Sequence, residues 1–158
     1  MDPVSPDDEF LDAVRAFSEA SDPLDQRGHG DHAGVTCLRA ARDLVLARES
    51  SHVLASMADA RRHGLPAELI PYGAAIEAAA YLLVGEATAA ARLVEHAWGD
   101  HPDVAVLPAL LGVARLLDGD AAGAAQAMFA ALVSDDPDNS LGAHRRLLTV
   151  LLERVRAN

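Results

Sequence analysis

The sequence predicts an all-α protein, an array of antiparallel helical hairpins with about seven helices, and three observations support that class. Residues 71–104 and 105–138 match each other at a spacing of 34, pairing Gly85 with Gly119, Ala90 with Ala124, Val94 with Met128 and Ala97 with Ala131. A period of this length marks a helix-turn-helix unit that buries its apolar face only by stacking on its neighbours. The chain is 51% hydrophobic but only 4% aromatic, so Ala, Leu and Val carry the apolar content and suit close helix packing. Its 158 residues match one domain, 1–158, with a single sizeable core.

The first helix starts near Ser5-Pro6, where Ser caps, Pro fits the first turn, and Asp7, Asp8 and Glu9 face the positive end of the helix dipole. Phe10, Leu11, Val14 and Phe17 form one stripe along it, so it docks on something. Residues 21–34, polar and rich in glycine, read as a mobile loop that completes an acidic N-terminal region, 1–34. An irregular hairpin follows over 35–70, with helices at 35–48 and 51–63, the second ended by Gly64 in the left-handed conformation before Pro66 opens the next element. In the 71–104 unit, helix A ends near Val84, Gly85 turns the chain, and helix B runs from about Thr88 to Trp98 until Gly99-Asp100-His101-Pro102 breaks it. The 105–138 unit repeats the plan: helix A reaches Leu117, Asp118-Gly119-Asp120 turns, and helix B runs to about Ser134 before Asp135-Asp136-Pro137-Asp138. A last helix, from about Asn139 to Arg156, carries Leu148, Leu151, Leu152 and Val155 on one face and serves as the capping helix, 139–158, of the array.

These residues resemble the tetratricopeptide repeat, whose pattern asks for Gly at the eighth position, Tyr at the eleventh, Ala at the twentieth, an aromatic at the twenty-fourth, Ala at the twenty-seventh and Pro at the thirty-second. In the first unit the positions hold Ala78, Tyr81, Ala90, Val94, Ala97 and Pro102. In the second they hold Gly112 after Leu111, Arg115, Ala124, Met128 and Ala131, with Pro137 one place late. Ala74 and Pro108 stand where the family's first Trp belongs. The stretch from Leu117 to Leu148 is also similar to the tail of an actinobacterial domain family of unknown function, in keeping with the arginine-only basic content.

The resemblance implies a non-catalytic interaction module whose groove is lined mainly by helix A. The lining positions are Tyr72, Ala75, Ala79, Leu82 and Leu83 in one unit and Val106, Ala109, Val113, Leu116 and Leu117 in the next. None is Lys, Arg or Asn, so the family's clamp for a C-terminal carboxylate is missing. An apolar groove of this size must be covered. The covers weighed are the N-terminal helix through Phe10, Val14 and Phe17, an amphipathic helix or peptide of another protein, and a second copy of the chain, which would make the groove a dimer interface. The remaining reading places these positions inside the stack.

Charge narrows the partners. The formal net charge is -11 and all 13 basic groups are arginines, with no basic stripe to displace counterions from nucleic acid. Residues 1–25 hold eight acids against Arg15, whereas the last fourteen hold Arg145, Arg146, Arg154 and Arg156 against Glu153; both ends read as solvated faces, the arginines favoured by the dipole at a helix C-terminus, in preference to a mutual attraction that contributes little between exposed charges. Met1-Asp2-Pro3 lacks a basic leader and the Ala78–Val84 apolar run is only seven residues, so a cytoplasmic protein without membrane partners is expected.

Chemistry is sparse. His29, Asp31 and His32 lie in RGHGDHAG, but a loop His-x-x-His lacks the helical register of zinc protease sites, and no metal or cofactor is expected. The other histidines sit near helix ends, in capping or exposed roles, and the lone Cys37 lies in an apolar pattern that buries it. No GxGxxG, phosphate loop, GxSxG or CxxC is present, so no catalytic residues are assigned and the chain is read as no enzyme.

Overall fold

The computed structural model describes residues 32–49, 52–136 and 139–157, all helical or turn, with no strand among them. The expected first helix and most of the 21–34 loop, including His29 and Asp31, lie outside the described residues. Among the described residues there are eight α-helices: α1 Ala33–Leu46, α2 Val53–His63, α3 Ile70–Leu83, α4 Ala87–Asp100, α5 Val106–Leu117, α6 Ala121–Val133, α7 Ser140–Ala143 and α8 Arg145–Arg156. A single 3₁₀ turn, Ala67–Leu69, sits between α2 and α3.

Three hairpins pair α1 with α2, α3 with α4 and α5 with α6. Each stacks on the next, through α2 on α3, α4 on α5, and α1, α3 and α5 side by side. Helix α3 is the middle of this stack, and ten of its residues are buried: Pro71, Tyr72, Gly73, Ala75, Ile76, Glu77, Ala78, Ala79, Ala80 and Leu82. A helix that is apolar on all sides belongs in an interior, and its alanines let neighbours approach closely on every side.

The turns leaving α3 and α5 are the same structure. After α3, Glu86 N–H donates to Tyr81 C=O at 2.8 Å and Gly85 N–H to Leu82 C=O at 3.3 Å; after α5, Asp120 N–H donates to Arg115 C=O at 2.9 Å and Gly119 N–H to Leu116 C=O at 3.2 Å. This pair of bonds is the Schellman closure, which needs a positive φ at the residue past the cap. Gly85 has φ 87° and Gly119 φ 88°. The turn after α1 makes the same two bonds, Glu49 N–H to Leu44 C=O and Arg48 N–H to Val45 C=O, with Arg48 at φ 61°. Arginine there accepts a strained conformation that glycine takes freely.

Several boundaries move. Gly34, expected in the loop, is buried in α1, where an added Cβ would collide with the carbonyl oxygen of Gly64 and lie 3.0 Å from that of Ala60. Glycine is required there by the close crossing of α1 over the end of α2. Gly64 has φ 78° but ψ 154°, an extended exit in place of the left-handed helical one. Helix α4 runs through exposed Gly99 to Asp100, because Gly99 keeps its helical bonds and only Pro102 lacks the N–H to continue. The last helix is broken at His144 into α7 and α8.

Helix α8 does not extend the stack end to end. It packs on α1, α3 and α5 together, so these three helices lie between α8 on one side and α2, α4 and α6 on the other. The carboxylate of Asp136 accepts from the N–H groups of Ser140 and Leu141 at 2.8 and 3.0 Å and from the Ser140 hydroxyl at 2.6 Å, capping α7. The Ser140 Oγ in turn accepts from Val106 N–H at 3.0 Å, which seats α7 on the start of α5. Farther along, Arg48 and Glu153 form an ion pair that ties α8 to the end of α1.

Candidate functional site

The ten positions expected to line an open groove separate by burial. Tyr72, Ala75, Ala79, Leu82 and Val106 are buried, so they are interior and do not line an open groove. Leu83, Ala109, Val113 and Leu117 are half-buried against the core, and Leu116 is 39% exposed. The cause is α8, which lies across the helix A face. The His144 ring stacks on Tyr72 with centroids 5.1 Å apart and planes 3° from parallel, while its Nδ1 lies 3.0 Å from the Ser140 carbonyl oxygen. Leu147 and Leu151, 3% and 0% exposed, fill the same face. The groove is therefore covered by the C-terminal end of the chain, a cover that the repeat pattern does not announce. His144, expected in a capping or exposed role, is buried, and Cys37, expected to be buried, is half-buried and unpaired.

A cavity of about 370 Å³ opens instead between α2, α3 and α4. Met57, Leu65, Ile70 and Leu93 give it apolar walls, and Gly73 in α3 leaves room for the Leu65 and Met57 side chains, 3.2 and 3.6 Å from where its Cβ would stand. Arg61 of α2 and Glu77 of α3 meet at its edge. Glu77 is 6% exposed and both its oxygens accept from Arg61, through Nη1 to Oε2 and through Nη2 to Oε1 at 3.2 Å. This hydrogen bond raises the Arg61 pKa above the ordinary guanidinium value, against the opposing effect of burial. His96, Asp100 and His101 rim the mouth, with His96 Nε2 3.7 Å from Asp100 Oδ2. The cavity is shaped to receive one apolar side chain or a small molecule of similar size. Among the described residues no three His, Cys, Asp or Glu side chains cluster as a metal would require, and none of their helices is long and apolar enough to cross a membrane.

The second open surface is α6. No residue from Ala121 to Ser134 is charged, and Ala122, Ala125, Gln126, Phe129, Leu132 and Val133 form an outward stripe. Phe129 is 69% exposed, Leu132 77% and Val133 76%. Acids stand at both ends: Asp118 and Asp120 before the helix, Asp135 and Asp136 after it. Asp120 caps α6 by accepting from Gly123 N–H at 2.8 Å, and Asp118 accepts from the Thr88 hydroxyl of α4 at 3.1 Å.

Neither surface was read from the sequence, although each left a trace. Glu77 is the sole charge in the α3 sequence IPYGAAIEAAAYLL, and a lone charge in an apolar helix demands a partner. The uncharged run of α6 denies that helix a solvent face.

No family model matches the chain, and no solved structure matches it. It is 34% identical over 129 residues to a mycothiol acetyltransferase of Clavibacter michiganensis subsp. michiganensis (strain NCPPB 382). That alignment takes in 72% of this chain and 40% of the other, so the chain spans well under half the length of the curated relative it matches.

Proposed function

We propose that this chain is a cytoplasmic, non-catalytic interaction module built from three tetratricopeptide-like units, beginning at Gly34, Pro71 and Ala105. The equivalence rests on the shared turns and on matching buried positions in the outer helices: Val53, Met57 and Ala60 in α2 stand where α4 has Ala90, Val94 and Ala97. The first and second units are 37 residues apart, and the 3₁₀ turn Ala67–Leu69 accounts for the three beyond 34.

The apolar outer face of α6 carries the functional reading. Large adjoining apolar side chains on the last hairpin, so open to water, are the signature of a surface that meets a partner. With the helix A face filled by α8, the partner is an amphipathic helix lying along α6, its basic ends meeting Asp118, Asp120, Asp135 and Asp136. A second copy of the chain is the alternative occupant, favoured by the absence of any charge in α6 that would repel its own image. Phe129→Glu and Leu132→Glu decide whether the face is used: both side chains are exposed, so the variants fold as the wild type does, but they lose co-purifying partner or dimer. Light scattering over a range of concentrations separates the two occupants. Variants that retain every association of the wild type overturn the assignment.

The similarity to a mycothiol acetyltransferase supports acetyl transfer as a second reading. His96 and His101 at the cavity mouth are the groups it would need for proton transfer. Incubation with an acetyl donor tests it, and turnover abolished by His96→Ala or His101→Ala would favour it.

A further inference from the structure

We propose that the cavity between α2, α3 and α4 binds an uncharged, apolar small molecule of about ten heavy atoms, at a site separate from the α6 face and independent of acetyl transfer. The repeat shows why the space is there. At the shift of 34 that relates the second and third hairpins, Gly73 and Glu77 of α3 correspond to Leu107 and Leu111 of α5. Those leucines are 0% and 1% exposed and belong to the core. Where α5 has two leucines, α3 has one residue without a side chain and one with a charge, and both border the cavity. Neither serves packing: glycine lowers helix propensity, and the buried Glu77 carboxylate needs Arg61 to hold it. Such departures from an otherwise consistent pattern mark a site rather than a scaffold.

Shape sets the size of the ligand. Helix α3 contributes Ile70, Gly73 and Glu77 to the cavity, and α4 contributes Leu93, Ala97 and Asp100. The two helices form an antiparallel hairpin, so Ile70 and Asp100 stand at one end and Glu77 and Leu93 at the other, about 10 Å apart along the helix axes. An apolar cavity of about 150 Å³ holds benzene, so the 370 Å³ here takes an elongated molecule and leaves the mouth open. Ile70 is 50% exposed, and a ligand lying along the slot removes it from water.

The polar rim selects against charge. Glu77 already takes two hydrogen bonds from Arg61, so a ligand carboxylate reaching for that guanidinium meets a second anion beside it. The Asp100 side chain is 63% exposed and 3.7 Å from His96 Nε2, so water and a neighbour already serve it, and it gives an ammonium little. The apolar walls return none of the hydration that a charged head gives up. An alkyl body with one hydroxyl fits all three conditions.

The test is a titration of the full chain with 1-octanol, octanoate or octylammonium, read by methyl resonances. Octanol is expected to shift Met57, Leu65 and Leu93 saturably, to leave Leu151 in α8 unmoved, and to bind about tenfold more tightly than either charged probe. Gly73→Leu restores the residue that α5 has, and Leu93→Trp fills the slot from α4. Each is expected to keep the circular dichroism of the wild type and to abolish the octanol shifts, and either one that folds suffices. Phe129→Glu should leave octanol binding unchanged, which separates this site from the α6 face. Octanoate or octylammonium binding as tightly as octanol overturns the proposal. So do shifts confined to Leu132 and Val133, octanol binding that survives in a folded cavity-filling variant, and the absence of any saturable shift.

Discussion

Arg61 and Glu77 join the first hairpin to the second by a two-pronged ion pair in which the Glu77 side chain is 8% exposed and the Arg61 side chain 55%. The two partners therefore stand in different dielectric surroundings, and the buried one depends on the other. Arg61→Ala should destabilise the fold by about 2 kcal/mol, below the range for a fully buried pair because water reaches the arginine side. The double variant Arg61→Leu, Glu77→Leu should recover most of that loss. Thermal denaturation of the three proteins checks both outcomes, and a double variant as unstable as Arg61→Ala would contradict the account.

Gly85 and Gly119 hold the same positive φ in the same pair of turn bonds. Valine at either position should cost on the order of 1 kcal/mol or more, since a β-branched side chain is poorly tolerated there. Unchanged melting of both variants would remove the assignment of these turns.

Two other glycines should respond in opposite directions to the same substitution. Gly34→Ala must push α1 away from the Gly64 carbonyl and should lower the melting temperature. Gly99→Ala adds a methyl to an exposed helical position with nothing within 4 Å, and should raise stability by about 0.5–1 kcal/mol through helix propensity. Differential scanning calorimetry reads both signs.

The packing of α8 is tested by neighbours in its sequence. Leu151→Ala, at 0% exposure, should cost about 2–4 kcal/mol, whereas Leu152→Ala, at 47%, should cost under about 1 kcal/mol. Ala79→Asp buries an unpaired charge under the same helix and should unfold the domain, as circular dichroism would show.

The parts of the fold that were legible are those coded by local chemistry. Gly85 and Gly119 announced their turns because few other residues take that φ, and the 34-residue period exposed two hairpins directly. The first hairpin shares the turn bonds of the other two but not their spacing. Arg48 occupies the place of the turn glycine, and the Ala67–Leu69 turn shifts the register by three residues, so comparison at 34 aligns nothing there. The ten groove positions were placed on helix A, but their accessibility depends on where α8 goes. That is decided by tertiary contacts, Ser140 on Val106 and His144 on Tyr72, between residues 34 and 72 apart in the chain. Amphipathicity says that a helix docks, and is silent on its partner.

Helix α8 has a consequence for how the molecule comes apart. A stack of hairpins in which each touches only its neighbours can fray from either end, one unit at a time, because losing an end unit leaves the others intact. Here one helix is bolted across α1, α3 and α5 at once, and the Arg48–Glu153 pair closes the far side. Releasing the first hairpin strips α8 of part of its seat, and releasing α8 uncovers Tyr72 and Leu82 in the middle unit. The penalty for partial opening is thus shared by every unit, and the array melts as a single cooperative block rather than unzipping.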